Sequence, residues 1–290
     1  MSTITEKTKP VAKTTLAGNK LYEFSFSGED FQYIRNLIYQ IAGISLAPSK
    51  KDLVYSRLAR RLRVKKLDSF SEYIELLQTG DLKEQQEFTN ALTTNMTSFF
   101  REAHHFQILA KFFNSRDRDK QLKIWTCAAS SGEEPYSIAM TAVEHYQSFN
   151  TPVKILATDI DTHILAKGQL GLYTLEQLRT LSIEQIKRFF LKGCGQNEGL
   201  AKIRPELQRM VTFKHFNLLD ESWPTKEKFD AIFCRNVMIY FDKATQRQIL
   251  TRMGECLHPH GLFFAGHSEN FHHATDLFKA CDKTVYTPKK

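Results

Sequence analysis

The chain has 290 residues, of which 42% are hydrophobic and 25% charged, with 13 Gly and 8 Pro. That length is generous for one core and comfortable for two, and the composition excludes collagen-like, low-complexity and wholly disordered chains. A formal net charge of +8 points to an acidic partner. No window offers the roughly 18 uninterrupted apolar residues of a membrane span, and even AIFCRNVMIYF is broken by Arg235. The first twenty residues have no apolar signal-peptide core, and the five cysteines lie far apart without a CxxC pair. The sequence therefore predicts a cytoplasmic chain with neither membrane insertion nor a disulfide framework.

Residues 1–19 are Thr/Lys-rich and predict a disordered tail. Residues 20–93 read as a small module of about four helices. Ser27 with Asp30 and Ser69 with Glu72 have N-cap spacing, and Gly43 and Gly80 stand where helices should stop. Within this module, KKDLVYSRLARRLRVKK (50–66) carries eight Lys/Arg against one Asp, most of the net charge of the chain. On a helical wheel Val54, Tyr55, Leu58 and Leu62 share one side, while Arg57, Arg60 and Arg61 fall on the opposite arc. A solvated basic face is the ordinary reading of such a helix. Nucleic acid is disfavoured by the lack of aromatic interleaving on the basic arc and of any recognised base-reading motif.

Residues 94–121 read as a linker leading into a catalytic domain at 122–290. There, short apolar runs at 122–127, 153–159, 210–217, 228–236 and 261–267 alternate with helical stretches at 134–149, 161–170 and 243–257. That rhythm predicts a parallel α/β sheet covered on both faces. Residues 172–208 break it and read as an insertion with its own small structure.

Ligands of open α/β sheets sit beyond the carboxyl ends of the strands. The first strand runs into CAASSGEEPYS, a turn of small residues that lets backbone approach a ligand. The second ends at Asp159, which either accepts hydrogen bonds from ribose hydroxyls or caps the next helix. The fourth runs into Asn236, with donors and acceptors suited to an adenine-like edge. GxGxxG is missing, and Glu133–Glu134 would repel a pyrophosphate, so a nicotinamide-dependent oxidoreductase fits poorly. A nucleoside carrying a cation, such as an adenosyl sulfonium, fits better.

TNMTSFFREAHHF (94–106), CAASSGEEPYSIA (127–139), ILATDID (155–161), FNLLD (216–220), FCRNVMIYFDKATQ (233–246) and LFFAGHSENF (262–271) occur together and in order. This set closely resembles the bacterial chemotaxis receptor glutamate methyltransferases, the CheR family. The resemblance implies a Rossmann-like S-adenosylmethionine-dependent methyltransferase domain with an N-terminal all-helical domain and an inserted small antiparallel β-subdomain. The implied reaction methylates glutamate side chains of chemoreceptors to glutamyl methyl esters in sensory adaptation, leaving S-adenosylhomocysteine. Matching blocks assign cofactor contacts to Asn95, Thr97, Arg101, Glu134, Asp159, Asn217, Leu218, Asn236 and Val237. Between Glu133 and Glu134, only motif order favours the second.

The resemblance also implies that the helical domain, through Arg57, Arg60 and Arg61, docks on the receptor's cytoplasmic helical region at membrane arrays. Members that tether to a receptor's C-terminal peptide use the inserted β-subdomain, and the turn at Gly193, Gly195 and Gly199 resembles that subgroup. A non-enzymatic adaptor is disfavoured because every cofactor-matching residue is retained. Arg101 is the candidate for orienting the acceptor carboxylate, with pairing to Glu102 or Glu134 as the alternative. Tyr240 either lines the transfer channel or is a packed aromatic. His104–His105 and His272–His273 are adjacent pairs whose side chains diverge along a helix, so no metal site is expected. Cys127 and Cys234 read as small buried hydrophobes rather than nucleophiles.

Overall fold

The computed structural model describes residues 15–16, 20–118, 120–223, 228–271 and 274–289. The expected tail lies outside these residues except for β1 (Thr15–Leu16), which pairs antiparallel with β2 (Lys20–Leu21). His272 and His273 also lie outside them. The chain divides into two compact units, Met1–Gln40 with Leu46–Leu92 and Ile41–Ser45 with Thr93–Lys290.

The helical unit forms where the caps predict. Ser27 and Asp30 exchange backbone-to-side-chain hydrogen bonds of 2.8 and 2.9 Å at the start of α1 (Gly28–Ala42). Gly43 follows it in the left-handed region at φ 68°. Ser69 Oγ accepts from Glu72 N at 3.2 Å to open α3 (Phe70–Gln78), and Asp81 caps α4 (Leu82–Leu92). Between them α2 (Lys51–Lys65) buries Val54, Leu58 and Leu62, the side expected from its periodicity.

The back of α2 differs from the expected solvated arc. Arg61 is only 17% exposed and grips Glu84 of α4 with two donors, at 3.0 and 2.7 Å, while reaching Glu87 at 2.9 Å. Arg57 donates to Leu92 O at 2.7 Å, and of the three arginines Arg60 alone is classed as exposed. A lone Arg can bend its long stem back over a neighbouring helix, which a wheel cannot show. Glu84 also accepts from Lys65 and Tyr73, so α2, α3 and α4 meet at one buried carboxylate.

Among the described residues of the second unit, the larger sheet has seven strands, in the order β11-β12-β10-β9-β3-β4-β8. Its parallel centre is β3 (Leu122–Cys127), β4 (Val153–Asp159), β8 (Val211–His215), β9 (Phe229–Cys234) and β10 (Leu257–Ala265). On β3, Leu122 and Ile124 face one hydrophobic layer and Trp125 and Cys127 the other, so the sheet is covered on both sides. The covering helices are α5 (His104–Asn114), α6 (Glu133–Tyr146), α7 (Thr162–Leu170) and α10 (Lys243–Cys256).

Three features depart from the expected rhythm. The stretch read as a linker contains α5, which buries Phe106, Leu109, Phe112 and Phe113. β10 starts four residues early, with a register shift between Leu257 and Leu262 around His258-Pro259-His260. The sheet also ends in an antiparallel pair, β11 (Phe278–Asp282) and β12 (Val285–Pro288), joined through Thr284 at φ 53°. Neither strand is apolar enough to announce itself. The insertion holds β5 (Leu172–Thr174), α8 (Ile183–Phe189), β6 (Phe190–Lys192), β7 (Leu200–Ile203) and α9 (Pro205–Gln208). Its strands form an antiparallel sheet in the order β5-β7-β6.

Candidate active site

The turns that follow β3 and β9, with the segment before α5, contain unusual backbone. Ala128, Ser130, Phe100, Glu102 and Asn236 all have φ between 50° and 59°, although none is glycine. Such residues cost on the order of 1–3 kcal/mol each and persist where surrounding contacts over-determine them. Their clustering at the carboxyl end of the parallel strands marks the place where a ligand would sit.

Asp159 closes β4 and is 6% exposed. Its oxygens accept from Ser130 N at 2.8 Å and Asp161 N at 2.9 Å, tying the β3–α6 turn to the β4–α7 turn. It does not cap α7, because Asp161 does so by accepting from His163 N and Ile164 N. Burial lifts the Asp159 carboxyl from 3.8 to about 6, against those backbone donors and with some help from the Asp161 charge. Each carboxylate oxygen retains acceptor capacity, so hydroxyl donors would relieve a real deficit.

Asp161, which sequence reading passed over, organises the neighbouring segment. Its Oδ2 accepts from Thr93 Oγ1 at 2.7 Å and from Asn95 Nδ2 at 2.6 Å. Asn95 O in turn accepts from Ser130 Oγ at 3.0 Å, so Asn95, Ser130 and Asp159 lie together. Thr97 follows as a half-buried residue of the same segment.

The two glutamates at the start of α6 have different partners. Glu133 accepts from Ser131 Oγ at 2.6 Å and from Gln177 at 3.3 Å, and burial raises its carboxyl. Glu134 points the other way, accepting from Thr126 Oγ1 and pairing with Arg235 at 2.9 Å. Burial raises Glu134 too, although the Arg235 charge opposes it.

Arg235 is the residue of this candidate site that sequence reasoning missed. Its side chain is 2% exposed, and it holds Glu134, donates to Arg101 O at 2.5 Å and lies 3.4 Å from Glu102. Glu102 lies below its ordinary range: burial pushes it up, but the His267 N–H and the Arg235 charge outweigh that, with the Asn236 side chain adding to them. With both acids engaged by Arg235, the alternative pairing of Arg101 does not occur. Among the described residues no carboxylate pairs with Arg101, whose Nη1 donates to Met96 O at 3.0 Å. The signal was present in CRNVMIYF, where a charged residue interrupts an apolar run.

Asn236 follows at φ 59°, 3.5 Å from Glu102 through its Nδ2. Val237 N and Met238 N both donate to Glu269 Oε1, and Gly266 N donates to Oε2 at 2.5 Å. This buried glutamate of the SENF block thereby fixes the turn that carries Asn236, Val237 and Tyr240. Tyr240 is half-buried, and its carbonyl accepts from Ser45 N at 2.8 Å. Asn217 donates to Ile41 O at 2.7 Å and accepts from Leu219 N, so its side chain already serves its own turn, beside the buried Leu218.

His104 and His105 converge instead of diverging, and with Glu102 they offer ligand atoms within 4.8 Å of one another. The charges around them do not suit a dication. Glu102 is already matched by Arg235, His105 Nε2 is 2.7 Å from Thr284 Oγ1, and the positive end of the α5 dipole lies here. Burial, with the Arg235 and His104 charges, lowers His105 to about 3 and keeps it neutral. Cys127 and Cys234 are buried neighbours in adjacent strands, as expected of small hydrophobes.

A small-residue turn, a buried acceptor for hydroxyls and a carboxylate-rich helix start define a domain for a positively charged nucleoside, the class of S-adenosylmethionine-dependent methyltransferases. Comparison with known proteins is specific. "CheR methyltransferase, SAM binding domain" matches residues 95–287 and "CheR methyltransferase, all-alpha domain" matches residues 29–93. Chemotaxis protein methyltransferase 2 of Pseudomonas aeruginosa is 54% identical over 267 residues, covering 92% of this chain and 95% of the relative. The chemotaxis protein methyltransferases of Salmonella typhimurium and Escherichia coli are 47% and 46% identical over 282 residues. Each covers 97% of this chain, and this chain covers 97% and 98% of them. The chain belongs to the CheR methyltransferase family and uses S-adenosylmethionine.

Proposed function

We propose that this chain methylates glutamate side chains in the cytoplasmic helical region of chemoreceptors, giving glutamyl methyl esters. Bound S-adenosylmethionine supplies a methyl group on a sulfonium sulfur and leaves as S-adenosylhomocysteine once the acceptor oxygen has taken that methyl. The acceptor glutamate, with an ordinary pKa of about 4.3, is already an ionised nucleophile near neutrality. The protein therefore needs no strong base. It has to orient the carboxylate and exclude water, and positioning of this kind can supply on the order of 7–11 kcal/mol.

Arg101 carries the reading. Its guanidinium has no acid partner among the described residues, while Arg235 occupies both nearby acids and fixes the Arg101 backbone. A guanidinium so placed can take an incoming carboxylate in its fork and set one oxygen toward the methyl. Tyr240 offers a hydroxyl at the same end of the sheet. Asp159 accepts from the ribose, with Asn95, Thr97, Glu134, Asn217, Leu218, Asn236 and Val237 completing the cofactor contacts. Labelled methyl should pass from S-adenosylmethionine to receptor glutamates and be released by mild base. Label that stays on receptor after base, or appears on no receptor, refutes the assignment.

Receptor engagement uses the basic face of α2, with exposed Arg60 as its leading contact and Arg57 and Arg61 partly committed to their own fold. The receptor's flexible C-terminal peptide adds to the edge of the inserted sheet near Gly193 and Gly195. Both contacts would hold the enzyme at membrane receptor arrays, since no described helix is long and apolar enough to cross a membrane.

A further inference from the structure

The insertion touches both segments that build the catalytic crevice. Tyr173 of β5 is 1% exposed, and its hydroxyl donates to Ser131 O at 2.8 Å, inside the turn between β3 and α6. A Cβ added at Gly132, where φ is 95°, would come within 2.9 Å of that hydroxyl. The oxygen therefore sits hard against the backbone of the turn. The Tyr173 ring meets Phe99 edge-on at 4.9 Å, and Phe99 also packs on Phe190 of β6. Thr180 Oγ1 donates to Phe99 O at 3.2 Å, and Gln177 reaches Glu133 at 3.3 Å. Phe99 lies two residues from Thr97 and two from Arg101.

We propose that Tyr173 is a positioning residue for the cofactor turn, and that residues 172–181 of the insertion are a working part of the cofactor site. Ser131 and Gly132 immediately precede the acidic start of α6, and Ser130 N is a ligand of Asp159. Any rotation of the Ser131 peptide would move the Asp159 acceptor and the Glu134 carboxylate relative to each other. The Tyr173 hydroxyl opposes that rotation from one side while its ring and Thr180 hold the Asn95–Arg101 segment from the other. This role rests on the methyltransferase reading of the crevice but is independent of which acceptor is methylated, and it is separate from any tethering at the sheet edge.

The test is titration calorimetry of the full chain with S-adenosylhomocysteine, well below the unfolding midpoint, beside steady-state kinetics on a receptor. Tyr173→Phe keeps the ring contacts and removes one neutral hydrogen bond. Kd for S-adenosylhomocysteine and KM for S-adenosylmethionine should both rise about fivefold, with the loss in KM rather than kcat. A merely structural tyrosine would lower the unfolding midpoint and leave Kd alone, because the unfolded fraction stays negligible at the assay temperature. That result overturns the proposal. If Tyr173→Phe does not fold, Thr180→Val makes the same test from the Phe99 side, and an unchanged Kd there overturns it equally. A wild-type chain that binds S-adenosylhomocysteine yet labels no receptor would defeat the acceptor assignment, while the Kd comparison would still decide the role of Tyr173.

Discussion

Asp159 carries the most consequential charge in the crevice, because its proton affinity depends on what it faces. Folding raises its pKa from 3.8 to about 6, so it binds a proton more tightly in the folded protein than in the unfolded chain. Its contribution to the stability of the unliganded fold is therefore full below about pH 4 and lost as pH rises through about 6. Ribose hydroxyls donating to the carboxylate would favour the ionised form and reverse that cost. Cofactor affinity should accordingly climb with pH up to about 6 and then level, with a proton released on binding below that point. Asp159→Asn should flatten the climb and weaken binding by about 1–3 kcal/mol. Calorimetry in buffers of different ionisation enthalpy reads both effects, and a wild-type profile in the folded variant would remove Asp159 from ribose recognition. Arg101 calls for a different readout. Arg101→Lys keeps the charge and loses the planar fork, so turnover should fall much more than cofactor affinity. If cofactor affinity falls and turnover at saturating cofactor does not, Arg101 serves the cofactor alone.

Helix α2 shows what the one-dimensional pattern conveys and what it conceals. Its apolar stripe, the caps at Ser27 and Ser69 and the stops at Gly43 and Gly80 were legible because each depends on residues within one turn of chain. So were the parallel strands and the placement of Asp159 at a strand end. What escaped notice depends on residues far apart in sequence. Arg61 and Glu84 are separated by 23 positions, and Arg235 and Glu134 by 101. The chain gives no local sign that two such residues will meet. Asp161 and Glu269 escaped for a related reason, since their importance lies in the backbone N–H groups they accept from rather than in a recognisable spacing. The Glu84 cluster has a measurable consequence. Burial pushes its carboxyl up, but the donors from Arg61, Lys65 and Tyr73 more than compensate and hold it below the usual range. The stability it contributes is thus present above the ordinary glutamate range and lost as pH falls below it. Glu84→Gln should cost about 2–3 kcal/mol near neutrality, with Arg61 and Lys65 left partly solvated, and that deficit should shrink in acid. Thermal unfolding at several pH values measures it. Arg60→Glu is the cleaner probe of docking: receptor methylation should fall and become less salt-sensitive while stability and cofactor affinity hold. Full methylation by that variant would take the α2 face out of the docking surface.

At the scale of the whole molecule, the insertion would serve catalysis through its inner face and recruitment through its outer edge, and the two uses can be separated experimentally. Strand β6 pairs with β7 on one side, and among the described residues no strand pairs with its other side. Phe190 is buried, whereas Leu191 is 42% exposed beside exposed Lys192. An extended peptide can add to such an edge through backbone hydrogen bonds, with side chains alternating between the surface and solvent. Tethering raises the local concentration of enzyme around neighbouring methylation sites without altering the chemistry at any of them. The two glycines in the turn beyond β6 make unequal probes. A Cβ at Gly193 would lie 2.0 Å from Asn197 O, so substitution there breaks the hairpin and tests folding rather than binding. At Gly195 a Cβ meets nothing within 4 Å, and the only obstacle is φ at 58°. Gly195→Phe should therefore leave β6 and β7 paired while placing a ring where the peptide would lie. Against a receptor with its C-terminal peptide, this variant should methylate at the rate the wild-type enzyme shows on a receptor lacking that peptide. Against the shortened receptor, variant and wild type should be equal. If the isolated peptide fails to bind and its removal leaves the wild-type rate unchanged, the outer edge plays no part in recruitment, and the insertion is left with the inward role of Tyr173.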